Sequence, residues 1–315
     1  MTFDDLNSLG IQREPFLFIC DFKAENLKVI RLDELDKYDV EFCIEENYDI
    51  KQYNNTIQKY PIGFAEYKRQ FDYVQERIKS GNTYLLNLTA STPIKTNLSL
   101  KEIFQNANAH YKLRYEDKEN KFVCFSPEKF IQIKDGTIHT YPMKGTIDAS
   151  VIGAKQKILD NKKEMAEHVM VVDLLRNDLS IVAEDVHVKK FRYVKAIEAG
   201  DKKLLHVSSH ISGMVSENWH EKIGDILKSL LPAGSISGAP KKSTLEIIKQ
   251  VENYERGYFS GVFGVYDGES LDSGVMIRFI QKTKDGYIYK SGGGITLDSN
   301  AKSEYKELLD KVYLP

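Results

Sequence analysis

Two Asp-Gly pairs set the tightest limit on how this chain can fold. Asp135-Gly136 separates Phe130-Ile-Gln-Ile from Thr137-Ile-His-Thr, and Asp285-Gly286 follows the strand-like stretch Val275–Gln281. A two-residue Asp-Gly turn sends the chain back beside itself, so the strands on either side are antiparallel neighbours. Further strands are expected at Phe16–Phe22, Tyr84–Thr89, Val186–Ile211 and Phe259–Tyr266, where β-branched and aromatic residues dominate. Tyr67, Phe71, Val74 and Ile78 recur at helical spacing and stop at Gly81. Helices are also expected over Ala154–Asn177, Trp219–Leu230, Pro240–Val251 and Asn300–Val312, while Asp33–Tyr60 reads as surface turns. Strands and helices come in blocks and not as βαβ repeats. The expected class is therefore α+β, two packed and largely antiparallel sheets with helices outside.

Composition narrows the function. The 315 residues carry 44 Lys and Arg against 46 Asp and Glu, so bulk charge attracts neither nucleic acid nor anionic membrane. Cys20, Cys43 and Cys124 are odd in number and lack metal-ligand spacing, which suits a reducing cytoplasm. The N-terminal Met1-Thr-Phe-Asp-Asp-Leu is acidic and does not read as a secretory signal, and no apolar run reaches the length of a membrane span. No linker divides the chain, so residues 1–315 are expected to form a single domain.

Several residues stand out for chemistry. Glu164 and Glu167 share one helix face, with Met165, Val169 and Val172 as an apolar stripe beside it. Glu304 and Glu307 repeat the spacing near Lys311, beside Tyr305, Leu308, Leu309 and Val312. A cation would relieve such like-charge pairs, although E-x-x-E on a solvated face is common, so spacing alone leaves both readings open. Pro232-Ala-Gly-Ser-Ile-Ser-Gly-Ala-Pro240 enters a helix through a glycine-containing turn, either an anion site or a plain turn. It fails the phosphate-loop pattern, which needs Lys directly after its second glycine. Lys144, in Tyr-Pro-Met-Lys-Gly-Thr, is read as a loop residue, and Gly292-Gly-Gly294 as a second loop.

Taken together, Ser126-Pro-Glu-Lys-Phe, Pro142-Met-Lys-Gly-Thr, Glu167-His-Val-Met-Val-Val-Asp-Leu-Leu-Arg-Asn-Asp178, Pro232 to Lys241 and Gly292-Gly-Gly-Ile-Thr-Leu-Asp-Ser299 resemble the chorismate-utilising enzymes. The resemblance covers roughly Gly81 to Lys311, and it points to the branch that aminates chorismate at C4 on the route to para-aminobenzoate and folate. It implies a chorismate-utilising enzyme fold and a Mg²⁺-dependent site between the sheets. Lys144 corresponds to the nucleophile and Glu128 to the general acid. Glu164, Glu167, Glu304 and Glu307 correspond to the Mg²⁺-holding carboxylates, and Arg278, Lys311, Gly293, Tyr266, Ser235 and His206 to substrate contacts. Asp173, Arg176 and Asn177 are read as a buried ion pair beside the site. A lysine attacks only as a neutral amine, so burial or nearby cations should favour that form.

The resemblance also sets alternatives. Anthranilate synthases of the same family typically have Ala where Lys144 stands, and hydroxylating members carry a water-activating lysine in the strand that here reads Tyr84-Leu-Leu-Asn-Leu-Thr, which has none. The alternatives are therefore an anthranilate synthase component I and a catalytically idle binding subunit. Ser180-Ile181 replace the usual Gly-Arg, and the N-terminal region (1–65) is shorter than in typical members, which argues against a tryptophan regulatory site. The three cysteines lack the Gly-flanked turn of a glutaminase nucleophile. Ammonia is therefore expected from a glutamine amidotransferase partner.

Overall fold

The computed structural model describes residues 1–44, 53–199 and 202–315. Among these, every strand pairing is antiparallel, and the strands make two sheets with helices outside, as the Asp-Gly turns require. One sheet runs in the order Met143–Asp148, Lys202–Met214, Thr137–Thr140, Lys129–Lys134, Leu271–Val275, Val262–Tyr266, Phe16–Cys20 and Leu27–Arg31, with Glu184–Ala199 also pairing Lys202–Met214. The other runs Gly238–Ala239, Leu85–Thr96, Gly286–Ile295, Phe279–Thr283, Lys121–Ser126, Tyr111–Glu116 and Asp39–Ile44, with Ile57–Lys59 against Leu85–Thr96. Asp135 and Gly136 take the positive φ values the first hairpin needs, 49° and 69°.

Strand alternation explains the layers. Leu17, Ile19 and Phe263 face inward and meet Tyr111, Leu113, Phe122 and Phe279 of the second sheet. Phe16, Phe18, Val262 and Tyr266 point the other way, into a core shared with the helices Lys162–Leu179 and Ile223–Leu230. On the outer face of the second sheet, Val123, Phe125, Ile280 and Tyr289 pack with Leu100, Ile103 and Phe104 of the helix Leu100–Asn106. Each such aromatic or aliphatic side chain contributes roughly 1.5–3 kcal/mol on burial. Among the described residues no helix is long and apolar enough to cross a membrane.

Several expectations need correction. A short helix at Phe3–Ile11 precedes the first strand; Thr2 N donates to Asp5 Oδ2 at 2.6 Å to cap it. It approaches Ile223–Leu230 so closely that a Cβ on Gly224 would fall 1.9 Å from the Phe3 carbonyl oxygen. Asp33–Tyr60 is not all turns: it holds a short 3-10 helix at Leu32–Lys37 and the strands Asp39–Ile44 and Ile57–Lys59, while residues 45–52 lie outside the described residues. The strand expected at Tyr84–Thr89 continues to Thr96. Val186–Ile211 is two paired strands, with 200–201 outside the described residues. Gly292–Gly294 is part of the strand Gly286–Ile295, and Lys144 lies in the strand Met143–Asp148; neither is in a loop. The segment Val275–Gln281 is broken, because Leu271–Val275 belongs to one sheet and Phe279–Thr283 to the other.

Candidate active site

That break builds the site. The chain crosses between sheets twice in the same place, once between Ser126 and Lys129 and once between Val275 and Phe279. The two crossings are laced together by the backbone, with Val275 N donating to Glu128 O at 3.0 Å and Phe125 N to Arg278 O at 3.2 Å. Arg278 takes φ 53°, an uncommon left-handed conformation for a bulky residue, and one associated with functional positions. Glu128 and Arg278 thereby enter one cavity of about 200 Å³.

Glu128 is held at this junction with one oxygen occupied: Ser235 Oγ donates to Oε1 at 2.5 Å. Burial holds its carboxyl above the usual range, against the opposing pull of Ser235, Arg278, Lys144 and Lys311. Arg278 Nε is buried without a hydrogen-bond partner, an unused donor that a carboxylate would satisfy.

The glycine strand forms the floor. A Cβ on Gly294 would lie 3.1 Å from Lys144 Nζ, and one on Gly293 would lie 3.6 Å from Glu307 Oε1, 3.7 Å from Glu304 Oε2 and 3.8 Å from Lys311 Nζ. Side chains there would fill the space into which the lysines and carboxylates point. Lys144 Nζ stands 3.3 Å from Glu167 Oε2, and Lys311 Nζ bonds Glu307 Oε1 and Gly292 O, each at 2.7 Å. Burial lowers the Lys311 pKa from its ordinary value; Glu307 opposes the shift, and Arg278 and Lys144 add to it. Glu164 reaches the residue after Lys144, its Oε2 3.4 Å from where a Gly145 Cβ would stand. His206 also lines the cavity; burial and Arg278 push its pKa down to about 4, and Thr146 Oγ1 is 3.2 Å from its Nδ1.

The four glutamates offer only carboxylate oxygens, the donor chemistry of a hard divalent cation. They stand as two pairs, one beside Lys144 and one beside Lys311. Among the described residues no three acidic, histidine or cysteine side chains are gathered tightly enough to hold a metal as they stand. In donor chemistry the set suits a hard divalent cation such as Mg²⁺, though the two pairs are not drawn together around one point.

Most of the residues singled out in the sequence converge here, and several do not. Tyr266 is completely buried on the helix-packed face of its strand, where its hydroxyl donates to Gly268 O at 2.8 Å and stands 2.7 Å from His220 Nδ1. The alternation of the strand explains this, because the inward position beside it is taken by Val265. Asp173 and Arg176 form an exposed pair at 2.7 Å, not a buried one, and Asn177 is exposed too. Met165 and Val169 also face outward; the buried face of their helix carries Val171, Val172, Leu175 and Leu179. Lys290 was missed. It lines the cavity, donates to Arg256 O at 2.8 Å, and burial pushes its pKa down to about 8. Its signal was the two-residue period that puts Lys290 on one strand face with Gly292 and Gly294.

The profile of the family described as chorismate binding enzyme matches residues 24–314. An uncharacterized PabA-like protein of Haemophilus influenzae is 49% identical over 99% of this chain and 95% of its own length. Aminodeoxychorismate synthase component 1 of Salmonella typhimurium is 32% identical over 79% of this chain, which spans 56% of that protein. The solved structure of anthranilate synthase component I from Streptococcus pneumoniae TIGR4 superposes with a TM-score of 0.71 at 25% identity, covering 84% of this chain and 60% of that one.

Proposed function

This chain belongs to the chorismate binding enzyme family, and we propose that within it the protein is component I of an aminodeoxychorismate synthase. The reaction converts chorismate and ammonia to 4-amino-4-deoxychorismate. One observation carries the reading: an amine and a buried carboxyl of raised pKa, Lys144 and Glu128, line the same cavity. Lys144 attacks C2 as a neutral amine, the two conjugated ring double bonds shift together towards C4, and the C4 hydroxyl departs as water with the proton of Glu128. Ammonia then adds at C4, the two double bonds shift back, the C2–N bond to Lys144 breaks, and the proton lost by the new C4 nitrogen returns to Glu128. Both steps conserve atoms, and the nitrogen ends on the carbon that held the hydroxyl.

Arg278, Lys311, His206 and the backbone at Gly293 would hold the dianionic substrate, Arg278 through its unused Nε–H. A Mg²⁺ ion held by Glu164, Glu167, Glu304 and Glu307 would supply positive charge for the ring carboxylate. Residues 1–315 would act as one catalytic domain. The three buried cysteines suit the cytoplasm, and a glutamine amidotransferase subunit would provide ammonia.

The likeness to the S. pneumoniae structure favours a second reading, anthranilate synthase component I, which eliminates pyruvate. Chorismate incubated with Mg²⁺ and an ammonium salt separates the two. A product that keeps the enolpyruvyl group supports the proposal, and anthranilate with pyruvate supports the rival. Chorismate that binds and is not converted would leave a binding subunit.

A further inference from the structure

The sequence resemblance makes Ser235 a substrate contact, but its hydroxyl is already engaged by a protein group. Ser235 Oγ donates to Glu128 Oε1 at 2.5 Å, at the short end for a hydroxyl bonded to a carboxyl. The serine itself is fixed from behind. It sits in the one-turn helix Gly234–Ser237, whose start is pinned by Asp178: a Cβ on Gly234 would lie 2.6 Å from Asp178 Oδ2. Asp178 is paired with Lys241 Nζ at 3.5 Å, and Lys241 also donates to Leu230 O at 3.0 Å. Arg256 Nη1 holds the next residue through Ile236 O at 3.0 Å, and Ser237 Oγ closes the turn on Ala233 O at 2.8 Å. Two buried charged groups from distant segments thus fix the backbone that carries one hydroxyl.

We propose that Ser235 is a positioning residue for Glu128: by occupying Oε1 it assigns the acid proton to the other carboxyl oxygen, and so fixes where the proton is delivered. This rests on the reading of Glu128 as the group that protonates the departing hydroxyl. A carboxyl free to rotate would present either oxygen, and the proton would reach the leaving group in only part of the population. Asp178, Lys241 and Arg256 serve the same end indirectly, by fixing the helix on which Ser235 rides.

The charged groups that face Glu128 are Arg278, Lys144 and Lys311, and all three favour its ionised form, as does the Ser235 hydroxyl. Glu128 acts while protonated, so activity falls as pH rises through its pKa. Removing the hydroxyl removes one influence favouring ionisation, and the fall should then move to higher pH.

The test is steady-state ammonium-dependent turnover across pH for wild type, Ser235→Ala, Ser235→Thr and Glu128→Gln. For Ser235→Ala we expect kcat to drop about ten- to a hundredfold, with KM for chorismate within about threefold because substrate is still gripped by Arg278 and Lys311. Its alkaline limb should shift upward, and Ser235→Thr should restore both kcat and the limb. Undiminished kcat in Ser235→Ala, an unmoved limb, or an effect confined to KM would overturn the positioning role, the last returning Ser235 to a substrate contact. Glu128→Gln keeps the two readings apart: if it retains full turnover, the acid assignment itself fails. If it is inactive while Ser235→Ala behaves as wild type, only the role of Ser235 fails.

Discussion

Lys144 Nζ lies 3.3 Å from Glu167 Oε2, so the residue proposed as nucleophile is paired with a carboxylate proposed to hold the cation. Glu167 is only 7% exposed. Lys144→Ala should cut turnover by at least about a hundredfold. It should also cost about 1–3 kcal/mol of stability, because a buried carboxylate loses one of its partners. Turnover and a urea midpoint measured on the same preparation check both parts. A fully active variant would remove Lys144 from the chemistry.

The cysteines supply a second prediction. All three are buried, and burial together with Asp21 pushes the Cys20 thiol up to about 12, while burial raises Cys124 as well. A thiol held protonated does not attack an amide. The purified chain should therefore make product from chorismate and ammonium salt at alkaline pH and none from glutamine. Product from glutamine with no second protein would refute the need for an amidotransferase.

Tyr266 offers a third. Its hydroxyl joins His220, which stands 2.6 Å from Arg13 Nη1, to Gly268, and it lies away from the cavity. Tyr266→Phe should lower stability by about 1–2 kcal/mol and leave KM for chorismate unchanged. A several-fold rise in KM at unchanged stability would restore it as a substrate contact.

Acid should weaken the fold through its histidines. His220 is pushed from 6.5 down to about 4 by burial and Arg13, and His210 to about 4 by burial, His139, Lys189 and His187. Both are neutral when folded and take up protons more readily when unfolded. Their contribution is complete above about pH 6.5 and is lost as pH falls through about 4. Urea midpoints at pH 7, 5.5 and 4.5 should decline in that order; a constant midpoint would mean the two rings are not desolvated.

The Asp-Gly turns made antiparallel pairing readable, because they are local instructions that tertiary packing had no reason to overrule. The crossing at Met276–Arg278 was not readable in the same way. Val275 to Ile280 is continuously apolar apart from Arg278, and only pairing with different neighbours decides that it serves two sheets. The glycines at 292–294 look like a loop in one dimension. They form a strand because Asn87 to Thr89 pairs with them and because the lysines and carboxylates opposite need the room. Tyr266 was misplaced by a single step of the two-residue period, enough to turn a side chain to the other face of its sheet. The hydrogen bond from Ser235 to Glu128 joins residues 107 apart in sequence, a relationship that no spacing rule reports.

In the proposed reaction Lys144 bonds covalently to the substrate before ammonia does. Intact-protein mass spectrometry of the chain incubated with chorismate and Mg²⁺, with ammonia withheld, tests it directly. We expect a species heavier by one chorismate less one water, mapped by proteolysis to the peptide containing Lys144, which disappears as product forms when ammonium is added. An unmodified protein that nonetheless aminates chorismate once ammonium is supplied would contradict it.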